Sequence, residues 1–196
     1  MKNIVLFICL SCYMTNAQVN LAFSVGANYS NFSCILFGKD YYNYYQPYNK
    51  FILLPNTGVE ISYSKNYWRL KSGIFLSYRG FIDTYDIIYP SNTLYYELPV
   101  EFSYSYFKNK LESGVALIFH KRGYAGDHYY HERNKPYGVG IRLTSIFHVT
   151  KRIGIKPSYT FGNVDKYLLN TYRNFLHHVF ALNVVYDFYR FGKKKK

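Results

Sequence analysis

Tyr96-Glu97-Leu98-Pro99-Val100-Glu101-Phe102-Ser103-Tyr104-Ser105-Tyr106 alternates in character almost without a break. Leu98, Val100, Phe102, Tyr104 and Tyr106 fall on one side of an extended chain. Glu97, Glu101, Ser103 and Ser105 fall on the other, because successive side chains of a strand point to opposite faces. The same period of two recurs in seven further segments: 19–30, 57–64, 68–78, 111–120, 137–148, 153–162 and 179–188. Each has one apolar face and one polar or small-residue face. In 68–78, for example, Trp68, Leu70, Ile74, Leu76 and Tyr78 oppose Arg69, Lys71, Gly73 and Ser77. The chain is therefore all-β, with eight strands.

The connections alternate in length. Tight turns fall near Lys65-Asn66-Tyr67, Lys108-Asn109-Lys110 and Thr150-Lys151-Arg152, whereas 31–56, 79–95, 121–136 and 163–178 are long. Short turns on one side and long loops on the other are the pattern of an outer-membrane barrel. The apolar faces are also sorted by height. Tyr63, Trp68, Tyr104, Tyr106, Phe147, Tyr186 and Phe188 fall at the short-turn boundary. Tyr29, Tyr78, Tyr95, Phe119, Tyr137, Tyr159, Phe161 and Phe180 fall at the long-loop boundary, with Val, Ile and Leu between them. Aromatic rings collect at membrane–water interfaces. A soluble lipocalin-like ligand carrier, the competing eight-stranded architecture, would turn the apolar face inward and has no reason to sort aromatics by depth. The reading is an eight-stranded antiparallel up-and-down transmembrane β-barrel over 18–192, with a basic tail at 193–196. With eight strands, both termini fall on the periplasmic side of a bacterial outer membrane. Pro99 and Pro157 lack an N–H inside predicted strands, so bulges are expected beside them. The span 166–178 can hold a short helix.

Composition agrees. Hydrophobic residues make up 49% of 196, and 25 Tyr and 16 Phe raise the aromatic share to 21%, a bias that suits pleated surfaces and interfaces. Met1-Lys2-Asn3, the apolar run Ile4–Leu10 and the small residues before Gln18 form a secretory signal over 1–17, cut after Ala17. Cleavage removes Cys9 and Cys12 and leaves Cys34 alone, so no internal disulfide is available.

The stretch Tyr95-Tyr96-Glu97-Leu98-Pro99-Val100-Glu101-Phe102-Ser103-Tyr104 resembles a strand of the PorT-like, porin-family outer-membrane β-barrel proteins of Bacteroidetes-type bacteria, with Glu97, Pro99 and Tyr104 in the matching places. The resemblance extends through the Ala17-Gln18 cleavage site, the Gly-containing first strand, Glu112-Ser113-Gly114 and the aromatic ending. It departs at Val100-Glu101-Phe102 and in the Lys193–Lys196 tail. It implies a fold and a location, and little uniform chemistry. The ending Leu182-x-Val184-x-Tyr186-x-Phe188 looks like the terminal-strand signal read by the barrel assembly machinery, which implies that machinery as a transient partner, alongside outer-membrane lipids.

The polar faces carry Glu60, Glu97, Glu101, Glu112 and Asp187 against Arg69, Lys71, Arg142 and Lys156. An interior of eight strands is just wide enough for side chains to fill, so these nine are expected to form an ion-pair network rather than an open pore. Outside, Tyr41, Tyr42, Tyr44, Tyr45 and Tyr48 make a candidate contact surface for an unidentified extracellular or periplasmic protein, because Tyr offers area at low entropy cost. The loop 121–136 holds Asp127, His128, His131 and Glu132, a conceivable rim site for an acyltransferase- or protease-like enzyme. Its spacing is not specific for a metal, and no nucleophile with a matched base is recognisable. The chain is accordingly read as non-enzymatic, with no cofactor or metal.

Charge runs strongly basic, with 24 Lys+Arg against 11 Asp+Glu. Lys65, Lys108, Lys110, Lys151 and Arg152 nonetheless cluster in the short turns, where cations meet phospholipid headgroups. This distribution gives no nucleic-acid reading.

Overall fold

Alternation of this persistence produces strands, and every strand pairs antiparallel with its neighbours in sequence. The computed structural model describes residues 18–36, 49–83, 89–107, 110–125, 137–166 and 173–191. Among these run β1 (Gln18–Leu36), β2 (Ile52–Lys65), β3 (Trp68–Asp83), β4 (Tyr89–Tyr106), β5 (Leu111–Ala125), β6 (Tyr137–His148), β7 (Ile153–Lys166) and β8 (Arg173–Phe191). A two-residue strand, Asn49–Lys50, pairs with Ile82 and Asp83 of β3. The sheet order β3-β2-β1-β8-β7-β6-β5-β4, with β3 pairing back to β4, closes the barrel. The seam joins the first and last strands, Val25 opposite Val184 and Tyr29 opposite Phe180. The fold is a closed eight-stranded antiparallel barrel.

The apolar face points out. Ile74 is 66% exposed, Leu182 60% and Val25 49%, while Glu97, Glu101 and Glu112 are at most 2% exposed. This is the reverse of a soluble carrier, and it overturns the lipocalin-like alternative. Along β3, Trp68 and Tyr78 bracket Leu70, Ile74 and Leu76. Ten residues at about 3.4 Å each, tilted by about 40°, place the two rings about 26 Å apart along the barrel axis. That matches the apolar band of roughly 25 Å typical of outer-membrane barrels.

At the short-turn end the rings touch. Trp68 stacks on Phe102 at 4.8 Å and meets Tyr104 edge-on at 4.7 Å, and Tyr104 meets Tyr106 at 4.8 Å. At the other end Tyr29 stacks on Phe51 at 4.5 Å, and Phe180 lies 4.6 Å from Tyr159.

Four sequence expectations need correction. Strands run past their predicted ends: β3 reaches Asp83, β5 reaches Ala125, and β8 starts at Arg173, so 173–178 is strand rather than helix. Tyr95 does not belong to the outer girdle. It shares the inward parity of Glu97 and Glu101 and is 1% exposed. No bulge accompanies either proline. The β3–β4 ladder instead skips Gly73/Pro99 and Ile74/Leu98, and the β6–β7 ladder skips Ser145/Pro157 and Ile146/Lys156, both with register kept. The missing N–H is absorbed by a local gap in pairing. The register shifts lie elsewhere, at Leu21/Ala22, Thr93/Tyr95 and Phe161/Asn163. The signal segment 1–17 and the tail 193–196 lie outside the described residues.

Candidate functional site

Inward parity brings side chains from six strands to the middle of the barrel. Glu112 (β5) accepts from Arg69 (β3) at 2.7 Å and from the Ser103 hydroxyl (β4) at 2.6 Å, and pairs with Lys71 (β3). Lys71 Nζ also lies 3.2 Å from Glu101 (β4), which accepts from Thr144 (β6) at 3.0 Å. Lys156 (β7) bridges Glu101 at 2.9 Å and Glu60 (β2) at 2.7 Å. The last contact crosses the lumen, because β2 and β7 are separated by β1 and β8. Arg69, Glu112, Lys71, Glu101, Lys156 and Glu60 thus form one continuous chain of opposite charges.

A second cluster lies nearer the long-loop end. Glu97 (β4) accepts from Arg142 (β6) at 2.5 Å and pairs with Arg79 (β3). Arg142 Nε donates to Thr160 at 2.7 Å, and the Arg79 guanidinium lies 4.9 Å from the centre of the Tyr95 ring. Beside it, Asn28 donates to Ser77 at 2.8 Å and accepts from Asn56. Asn28, Asn56, Ser77, Glu97 and Arg142 border a cavity of about 10 Å³, also lined by Phe75, Ala181 and Asn183. That space holds about one water molecule. Ala116, Ile118 and Ile146 are buried in the interior as well.

The structure brings together Glu60, Arg69, Lys71, Glu101, Glu112 and Lys156 in one cluster, and Glu97 with Arg142 in the other. Asp187 stands apart. It lies opposite the inward Ala22 at the short-turn end of β8 and pairs with Arg190 at 2.6 Å instead of with the network. Arg79 joins the interior as a further cation, paired with Glu97. It is fully buried, yet it falls just past the predicted end of the 68–78 segment; extending the alternation from Ser77 by two residues would have found it. With Asp187 out and Arg79 in, four carboxylates face five cations. Inward Ile118, Ile146 and Val185 were hidden by apolar doublets that give no alternation to read.

A buried charge needs a partner, and each interior carboxylate here has at least one cation within ion-pair distance. Such an arrangement fastens neighbouring and opposite strands to one another. Among the described residues no group of three His, Cys, Asp or Glu side chains is placed to hold a metal. Tyr41, Tyr42, Tyr44, Tyr45 and Tyr48, like Asp127, His128, His131 and Glu132, lie outside the described residues.

No protein-family model matches the chain, and no curated protein matches it by sequence. Solved structures do. The barrel is similar to Neisserial surface protein A, with a TM-score of 0.52 at 11% identity over 86% of this chain and 97% of that one. It is also similar to Ail, the attachment invasion locus protein of Yersinia pestis, with a TM-score of 0.50 at 15% identity over 90% of this chain and 99% of that one. The shared property is the fold. At these identities the likeness extends to the closed eight-stranded architecture across nearly the full length of both partners.

Proposed function

We propose that this protein is a sealed outer-membrane barrel that acts through its long-loop side, as a non-enzymatic surface-interaction protein. The carrying observation is the inversion of the barrel, with an aliphatic belt between two aromatic rims outside and a filled ionic interior within. The outward belt needs lipid, and the filled lumen leaves the loops as the surface able to meet a partner. Two similar folds belong to a surface protein and an attachment invasion locus protein, which supports the general kind of role. The PorT-like resemblance of Tyr95–Tyr104 supports the same location, and the aromatic end of β8 makes the barrel assembly machinery the transient partner of biogenesis. Tyr41, Tyr42, Tyr44, Tyr45 and Tyr48 form the contact surface in this reading.

The test uses Tyr44→Cys in a Cys34→Ser background. Membrane-fraction protein should run faster on a denaturing gel before boiling than after. A membrane-impermeant maleimide should label Cys at position 44 in intact cells. Protein recovered in the soluble periplasmic fraction, or labelled only after cell lysis, would overturn the reading.

A further inference from the structure

The short-turn rim carries aromatic rings all round and gathers cations on one side. From β2 to β4, Tyr67, Trp68 and Tyr106 each contact Tyr104. From β5 to β8, cations join the exposed rings of Phe147, Tyr186 and Phe188. Lys110, Lys151, Arg152 and Arg190 are all exposed there, against one carboxylate among the described residues, Asp187, already engaged by Arg190.

Backbone bonds hold these cations in one arc. His148 N–H donates to the Lys110 carbonyl at 2.9 Å, which ties the end of β6 to the start of β5. Thr150 Oγ1 accepts from the N–H groups of Arg152 at 3.1 Å and Ile153 at 2.9 Å, closing the β6–β7 turn. Asp187 N–H donates to the Arg152 carbonyl at 2.8 Å, and the Arg190 side chain caps the Lys151 carbonyl.

Just inward from this arc, the lipid-facing surface carries a polar pair. Ser113 and Ser145 sit opposite each other on β5 and β6 with their hydroxyls 3.5 Å apart. The pair carries two hydroxyl protons, and the contact between them uses one. Ser145 also lies where the β6–β7 ladder skips Pro157. Ser113 is three residues along β5 from Lys110, about 10 Å, or about 8 Å in depth once the strand tilt is allowed for. The polar interface on each side of a bilayer is roughly 5–8 Å thick. If Lys110 sits at phosphate level, the serines therefore sit where glycerol-ester carbonyls end and hydrocarbon begins.

We infer that the short-turn rim from β5 to β8 holds the headgroup of an anionic phospholipid, with Lys110, Lys151 and Arg152 at its phosphate and Ser113 and Ser145 at its ester carbonyls. The inference rests on the membrane reading above and names a lipid partner for it. Three cations facing one headgroup favour an anionic over a zwitterionic lipid, by roughly fivefold per fully engaged cation.

The experiment is native mass spectrometry of the full chain in micelles with equimolar phosphatidylglycerol and phosphatidylcholine. Wild-type protein should retain phosphatidylglycerol at least about tenfold over phosphatidylcholine. The combined Lys110→Gln, Lys151→Gln, Arg152→Gln variant should bring that ratio near one, while Lys121→Gln on the opposite rim should leave it unchanged. Should the triple variant fail to refold, Lys110→Gln and Lys151→Gln alone must each lower the ratio severalfold. A wild-type ratio near one, a ratio unmoved by these substitutions, or equal competition from soluble glycerophosphate would each overturn the lipid site. A barrel that shows its heat-dependent gel shift but no preference overturns the site alone. A chain that shows no shift in any lipid overturns the membrane reading with it.

Discussion

Glu97 is the residue on which the long-loop half of the interior depends, because among the described residues it alone faces two guanidinium groups, Arg79 and Arg142. Removing one partner of a buried pair leaves the other charge uncompensated, which is costlier than the pair itself is favourable. Glu97→Gln strands two cations and should lower unfolding stability by about 3–5 kcal/mol. Arg79→Met leaves Glu97 still paired with Arg142 and removes the surplus cation, so its cost should be less than half as large. The denaturant midpoint for loss of the compact, fast-migrating form compares the two directly. Equal losses would mean that Arg79 and Arg142 are not sharing one carboxylate. The sequence placed Glu97 and Arg142 on inward faces but said nothing of their pairing, since parity assigns a side without assigning a neighbour. Lys156 and Glu60, 96 residues apart across the lumen, meet only because closure and tilt bring β2 opposite β7.

At the scale of strands, the β1–β8 seam decides whether the sheet closes. Gly26 sits opposite Asn183 in the register of that seam, and a Cβ there would meet the Asn183 side chain and the Leu182 carbonyl oxygen. Backbone cannot yield as a flexible side-chain tip can, so Gly26→Ala should destabilise the barrel by about 1–3 kcal/mol through overpacking. It should also lower the temperature at which the compact band disappears from a gel. An unchanged transition would show that the seam is not tight at this point. The membrane-level part of each strand was legible because lipid outside and charges inside give alternation its contrast. Beyond the girdles that contrast fades, which is why Arg79–Asp83, Lys121–Ala125 and Arg173–His178 were read as loop although they continue β3, β5 and β8. Bulges leave no mark in composition. The shift at Leu21/Ala22 falls just after Asp187 and sets Arg190 opposite Asn20, where it pairs with Asp187. Tyr95 was misplaced for the opposite reason: its aromatic character suggested the girdle, while its parity put it inside.

For the whole molecule, the central question is whether a closed ring of strands is also a closed pore. Eight strands enclose a space that side chains can fill, and here two ionic clusters occupy it. The chain from Arg69 through Glu112, Lys71, Glu101 and Lys156 to Glu60 spans the lumen, and Arg79, Glu97 and Arg142 form a second barrier above it. An ion crossing would have to enter both clusters desolvated and in competition with a fixed counter-charge, while the cavity beside the upper cluster has room for about one water. The wild-type barrel in a planar bilayer should therefore add no stepwise conductance at neutral pH, in contrast to water-filled barrels of 16 or more strands. Removing charge without volume should not open it: Glu101→Gln should still be silent, because packing by Ile118, Ile146 and Phe75 remains. Removing both bulk and charge, in Arg79→Gly with Arg142→Gly, empties one barrier but leaves the lower chain intact, so that variant too should stay silent. Steps from wild-type protein, at a size that scales with salt concentration, would show a continuous aqueous path and return the function from the loops to the lumen.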